Sequence, residues 1–200
     1  MSDGRVGVIG GIGGIVLAGG RSSRFGRDKL VELVDGRRML DLAIEAVQAV
    51  ASDVVVVVAP DARRSVPAGA RLVRDRQAFH GPLAGVAVGL AALASDVERV
   101  IVVGGDMPTL SPAVLRRLVE ALGPLVDATL LGHDGEAHPL PAAYRRTAAL
   151  AAVEALLQAG ERRLRVLPQR LFATIIPAVD WTADDPNGAT LRDIDRPDDL

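Results

Sequence analysis

The sequence predicts an α/β fold: a three-layer α/β/α sandwich around a mainly parallel sheet, with an antiparallel portion in the C-terminal half. Three observations predict it. Asp53–Ala59 is almost continuous valine, the pattern of a strand buried on both faces of a parallel sheet. Runs of this kind alternate with segments of helical spacing, such as Met39–Val50, whose apolar residues stand at 39, 40, 43, 44, 47 and 50. The alternation loosens further on, where Val126–Gly132 and Ala137–Tyr144 flank the turn sequence His133-Asp134-Gly135-Glu136 and read as an antiparallel pair.

Taken in order, residues 1–14 are small, glycine-rich and without periodicity, and read as a flexible leader ahead of a single domain at 15–200. Ile15–Ala18 reads as a buried strand entering a glycine-rich, basic loop that ends at Lys29. Leu30–Val34 is a short extended piece turned by Asp35-Gly36, and Met39–Val50 follows as a helix. After the valine strand, Arg71–Arg74 is a shorter one. Gly81–Ala94 is an apolar helix with Pro82 in its first turn, where no backbone donor is lost. Arg99–Val103 is a further buried strand, ending at Gly104-Gly105-Asp106. Ser111 N-caps a helix that starts at Pro112 and reaches about Leu122. Arg146–Ala159 and Glu161–Leu171 read as helices separated by Gly160. A strand near Phe172–Ile176, a polar loop at 180–190, the segment Thr190–Ile194 and a Pro-initiated turn complete the chain.

Composition narrows the function classes. With 49% hydrophobic residues a 200-residue chain can bury a sizeable core. The net charge of −2 gives no global field for nucleic acid or a membrane surface. Zero cysteines exclude disulfides and thiolate metal sites, and three scattered histidines make poor zinc ligands. The apolar runs are too short to span a bilayer, and the N-terminus lacks the basic and apolar regions of a signal peptide. A cytoplasmic protein is expected.

The basic residues carry the sharpest signal. There are 23, and Lys29 is the single lysine among them. In so arginine-rich a chain, position 29 calls for a compact ammonium in place of a guanidinium fork. The segment Ile15–Lys29 joins a buried strand, paired glycines and basic residues, an arrangement suited to holding nucleotide phosphates. It is not a Walker A loop, because Arg27-Asp28 follows Gly26. It is not the dinucleotide fingerprint either, because its glycines have the wrong spacing. In open α/β sheets ligands lie beyond the carboxyl ends of the strands, and Gly104-Gly105-Asp106 is a second such end. An acid closing a valine-rich buried strand is poorly explained by packing, so Asp106 is a candidate metal ligand.

Three motifs in order resemble those of the MobA-like nucleotidyltransferases. Leu17-Ala18-Gly19-Gly20-x-Ser22-x-Arg24-Phe25-Gly26-x-Asp28-Lys29 resembles the family's signature loop, Gly81-Pro82-Leu83-Ala84-Gly85 its GPLAG element, and Asp106-Met107-Pro108-Thr109-Leu110 its metal segment. His138-Pro139 and Leu157–Arg163 are similar to segments of the branch that guanylylates the molybdenum cofactor. The resemblance implies a Rossmann-like domain that moves GMP from GTP to the phosphate of molybdenum-bearing molybdopterin and releases pyrophosphate, with Mg²⁺ as cofactor. It implies Lys29 and Asp106 as catalytic residues. Leu17, Ala18, Gly19, Gly20, Arg24 and Asp75 would contact the nucleotide. His138, Arg162 and Arg163 would face the acceptor. Molybdoenzyme chaperones or other cofactor-biosynthesis proteins are the partners it implies.

Two departures keep alternatives open. Pro60 stands where many guanylyltransferases carry Asn after the second strand. The C-terminal Asp193-Ile194-Asp195-Arg196-Pro197 replaces Asn-x-Asn-Thr-Pro with the Asp-x-Asp of cytidylyltransferase-like relatives. Asp195 is thus either a second metal ligand or the N-cap of the last turn. A cytidylyltransferase for the same cofactor, another MobA-like transferase and a non-catalytic nucleotide-binding protein are the competing readings.

Overall fold

The computed structural model describes residues 11–19, 29–75, 81–194 and 199. Nine strands and five α-helices lie among them. The first strand, β1, spans Gly11–Ala18. Leu33–Val34 (β2) and Arg37–Arg38 (β3) form a small hairpin, and Met39–Gln48 is α1. Asp53–Val58 (β4), Ala70–Arg74 (β5), Pro82–Ala92 (α2), Val97–Gly104 (β6) and Pro112–Glu120 (α3) continue the alternation. Ala128–His133 (β7) and Glu136–Arg145 (β8) lead into Arg146–Gln158 (α4), then Ala173–Ile176 (β9) and the short Ala178–Trp181 (α5). No helix among the described residues is long and apolar enough to cross a membrane.

Seven strands form one sheet in the order β5-β4-β1-β6-β8-β7-β9. β1 pairs in parallel with β4 and β6, β4 with β5, and β7 with β9. Only β8 is reversed, antiparallel to both of its neighbours. The chain builds outward from β1 in one direction and then crosses to β6 on its other side. The switch in strand order therefore lies between β1 and β6.

Side-chain alternation fills two layers. Val16 and Ala18 of β1, Val54, Val56 and Val58 of β4, and Ile101 and Val103 of β6 face α1 and α3. Ile15, Val55, Val57, Val100 and Val102 face α2 and α4. Each strand is thus apolar on both faces, which is why it reads as a run and not an alternation. The mainly parallel three-layer sandwich is as expected, antiparallel portion included.

Several boundaries differ from the sequence reading. The first strand begins at Gly11, not Ile15, so residues 11–14 belong to the sheet and not to a leader; residues 1–10 lie outside the described ones. Gly13 and Gly14 carry no side-chain signal because neighbouring side chains leave no room for one. A Cβ on Gly14 would stand 2.2 Å from Val47 Cγ1, and one on Gly13 2.8 Å from Val97 Cγ1. Glu161–Leu171 is not an α-helix. It contains two 3-10 turns, Leu164–Val166 and Pro168–Arg170, the second opened by a proline without an N–H. Lys29–Val31 is also a 3-10 turn, ahead of β2. Both acid–glycine turns are as read: Asp35 and Gly36 (φ 52° and 78°) and Asp134 and Gly135 (φ 49° and 80°) carry the positive φ pair of tight hairpins.

Candidate active site

At the switch point the ends of β1 and β6 are tied together by a hydrogen bond of 2.9 Å from the Gly105 N–H to the Leu17 carbonyl. Past this tie the two strands release their functional segments. On the β1 side, Ala18 is buried and Gly19 is exposed. A Cβ on Gly19 would meet only ordinary contacts, the nearest being the Ala59 nitrogen at 3.5 Å. Packing does not demand glycine there, so its bareness leaves clear space over the strand end.

On the β6 side glycines are demanded. A Cβ on Gly104 would lie 2.3 Å from Asp106 Oδ1, and one on Gly105 would lie 3.0 Å from Leu40 Cδ1 and 3.2 Å from the Leu17 carbonyl oxygen. The two glycines let the chain turn sharply enough to lay the Asp106 carboxylate back over the strand end. The Asp106 main chain is fixed from the other end of the molecule, its carbonyl accepting a 3.0 Å hydrogen bond from the Ile194 N–H.

The Lys29 ammonium meets this carboxylate, Nζ standing 2.8 Å from Asp106 Oδ2. The side chains are only 14% and 28% exposed, so the pair is substantially withdrawn from water and its attraction is less screened than on an open surface. These two residues are 77 positions apart in sequence, and the fold puts them in direct contact. No group of three or more acidic or histidine side chains able to hold a metal is present among the described residues. A single carboxylate fits a hard cation whose remaining ligands are phosphate oxygens and water, the usual habit of Mg²⁺. Asp106 is the described residue that would hold it.

The other expected residues divide. Asp75 lies on the same sheet edge, its N–H donating 2.9 Å to the Val58 carbonyl at the end of β4. Because β8 is reversed, His138 stands near its start and on this edge as well. Its aromatic neighbour is His133, with ring centroids 6.5 Å apart, and His133 in turn lies 5.8 Å from the buried Trp181. Arg163 turns back on its own segment: Nη2 donates 2.6 Å to Glu161 Oε2 and Nε 2.9 Å to Oε1. Arg162 makes its inter-segment contact through its main chain, the carbonyl accepting from the Leu83 N–H at 3.4 Å. Gly20, Arg24 and Asp195 lie outside the described residues.

Two participants escaped the sequence reading. Glu161 accepts from two guanidinium nitrogens of Arg163 and from the Arg162 and Arg163 N–H groups, at 2.8 and 2.9 Å. The Arg163 side chain foremost, then these two N–H groups, hold its carboxyl well below the usual carboxylate range. Its signal was an acid directly after Gly160 and before two arginines, overshadowed by the arginines. His133 is the other; only its partner across the hairpin stood beside a telling proline.

A sequence profile of the MobA-like NTP transferase domain matches residues 14–174. The chain belongs to this family. Within the family it is similar to the molybdenum cofactor guanylyltransferase of Ectopseudomonas mendocina, 34% identical over 193 residues, with 89% of this chain and 86% of the relative covered. The corresponding protein of Desulfosudis oleivorans is 29% identical, with 94% and 91% covered. Among solved structures, molybdopterin-guanine dinucleotide biosynthesis protein A from Archaeoglobus fulgidus superposes with a TM-score of 0.75 at 25% identity, covering 94% of each chain. A 4-diphosphocytidyl-2C-methyl-D-erythritol synthase from Anaerococcus prevotii has the same fold, with a TM-score of 0.71 at 16% identity. The matched residues span both the β1 and β6 ends that the Gly105–Leu17 bond joins.

Proposed function

We propose that this chain transfers GMP from GTP to the terminal phosphate of molybdenum-bearing molybdopterin and releases pyrophosphate. The observation that carries the proposal is the Lys29–Asp106 pair at the β1/β6 switch point, in a family member similar to guanylyltransferases over nearly its whole length. An oxygen of the acceptor phosphate bonds to the α-phosphorus of GTP while the bond from that phosphorus to the bridging oxygen breaks. The electron pair leaves with pyrophosphate. Neither a protein nucleophile nor a dedicated general base is needed, since the acceptor phosphate is already ionised at neutral pH; the work is positioning and charge stabilisation.

Each residue has a part in that work. The bare end of β1 at Leu17–Gly19, together with Gly20, would admit the base and ribose, with Asp75 reaching the nucleotide from the β5 side. Lys29 and Arg24 would neutralise phosphate oxygens as negative charge gathers on them. Asp106 would hold Mg²⁺, which would supply Lewis-acid chemistry at the phosphates, and Asp195 would stand as a second ligand. His138 and Arg162 would border the acceptor, with Arg163 beside them. On this reading the protein would work in the cytoplasm, alongside molybdoenzyme chaperones or other proteins that build the cofactor.

The test is a thermal-shift comparison of GTP, CTP, UTP and ATP, each with Mg²⁺, followed by pyrophosphate release with acceptor. A bound ligand stabilises the native state by mass action, about 2.7 kcal/mol at a hundredfold excess over Kd. GTP should raise the midpoint most and alone support release. A preference for CTP would establish the cytidylyltransferase reading instead. Binding without release from any triphosphate would leave a nucleotide-binding protein.

A further inference from the structure

The segment after α4 is built as a strap on the start of α2. Gly160 (φ 81°) ends α4 in a left-handed turn, with the Glu161 N–H returning 2.9 Å to the Leu156 carbonyl and the Gly160 N–H 3.0 Å to that of Leu157. Glu161 then folds over the next two residues, accepting from both of their N–H groups and from the Arg163 guanidinium. The outcome is a fixed position for the Arg162 carbonyl. That oxygen accepts from the Leu83 N–H, one of the donors at the start of α2 that the helix cannot satisfy itself.

The fit at Gly81 is close. A Cβ there would lie 2.7 Å from the Arg162 carbonyl oxygen and 3.0 Å from Arg162 Cβ, and its φ of 86° already favours glycine. The first glycine of Gly81-Pro82-Leu83-Ala84-Gly85 is thus bare for the strap. The second, Gly85, instead approaches Leu17, whose Cδ2 would be 3.2 Å from its Cβ. Through these contacts the turn at 161–163 bears on the helix whose first turn faces the carboxyl edge of the sheet, beside the end of β1.

We infer that Glu161 is a positioning residue for the triphosphate. Acting through the Arg162 main chain, it fixes the first turn of α2 against the nucleotide, and this rests on the GTP reading above. Glu161 touches no reacting atom. Its carboxylate oxygen Oε1, which receives both N–H groups, is the part that matters; the Arg163 fork anchors it.

The experiment measures GTP–Mg²⁺ affinity by calorimetry for the full chain and for Glu161→Ala and Glu161→Gln, with the native fraction of each followed by circular dichroism. Glutamine keeps a carbonyl oxygen for the two N–H groups and alanine keeps none. Glu161→Ala should weaken GTP about tenfold while the acceptor-saturated kcat stays within about threefold, and Glu161→Gln should recover affinity to within about threefold of the parent, a loss on the scale of one charge-assisted hydrogen bond. Unchanged affinity in Glu161→Ala, or equal loss in both variants, overturns the inference while leaving the GTP reading intact. Failure of the parent chain itself to bind GTP overturns that reading and this one with it.

Discussion

Lys29 Nζ and Asp106 Oδ2 are 2.8 Å apart, so each charge serves as the other's counter-ion. Under the proposed function a cation would take over at the carboxylate and a phosphate at the ammonium. Removing the carboxylate should abolish this exchange without unfolding the chain, because the Asp106 main chain is held separately by Ile194. Asp106→Ala is expected to lower kcat/KM about a thousandfold or more. Its melting temperature should stay within a few degrees of the parent's.

The same contact makes the lysine hard to replace. Lys29→Arg keeps the charge but puts a planar fork where the side chain is 14% exposed and bonded end-on to one oxygen. A fall of about a hundredfold in kcat/KM is expected. Parent-like kinetics in Lys29→Arg would show that the compact ammonium is dispensable.

Two glycines of the β1 region should respond in opposite ways. Gly14→Ala drives a methyl to 2.2 Å from Val47 Cγ1, and overpacking of this kind costs about 2–3 kcal/mol. Melting temperature should fall by roughly 5–10 °C. Gly19→Ala meets no such obstacle and should melt with the parent, yet fill the space over the strand end and weaken GTP about tenfold. Differential scanning fluorimetry with and without GTP–Mg²⁺ distinguishes the two.

Tyr144 gives the protein an alkaline limit. Its ring is fully buried, and its hydroxyl has no hydrogen-bonding partner among the described residues. Burial pushes the phenol above its ordinary value. The unfolded chain therefore loses this proton first, near pH 10. The associated stability is complete below that pH and declines as pH rises beyond it. Chemical denaturation from pH 8 to 11 should show the decline in the parent and a flatter profile in Tyr144→Phe. At neutral pH the variant should match the parent or gain up to about 1 kcal/mol, since no bond is lost.

Strands such as β4 and β6 were legible because parallel strands with helices on both faces must be apolar throughout. Asp106 was legible because an acid at the end of such a strand has no packing purpose. Gly13 and Gly14 were not, since glycines closely packed by distant side chains look like glycines in a tail. Only the side chains of Val47, Leu93 and Val97 distinguish the cases, and they are distant in sequence. Arg163 was half legible: its charge showed in the sequence, but its pairing with Glu161 two residues away did not.

The single reversed strand, β8, changes what borders the ligand edge. A wholly parallel sheet offers only strand endings there, each followed by a loop that must lead into a helix. Reversal delivers a strand beginning as well, with the tight Asp134-Gly135 hairpin directly before it. That stretch is free of any duty to start a helix or cradle a phosphate. Under the proposed function, substitutions at 133–138 would reshape the acceptor side of this edge while leaving the Lys29–Asp106 pair untouched, a division of labour by which one catalytic half would serve different acceptors across a lineage.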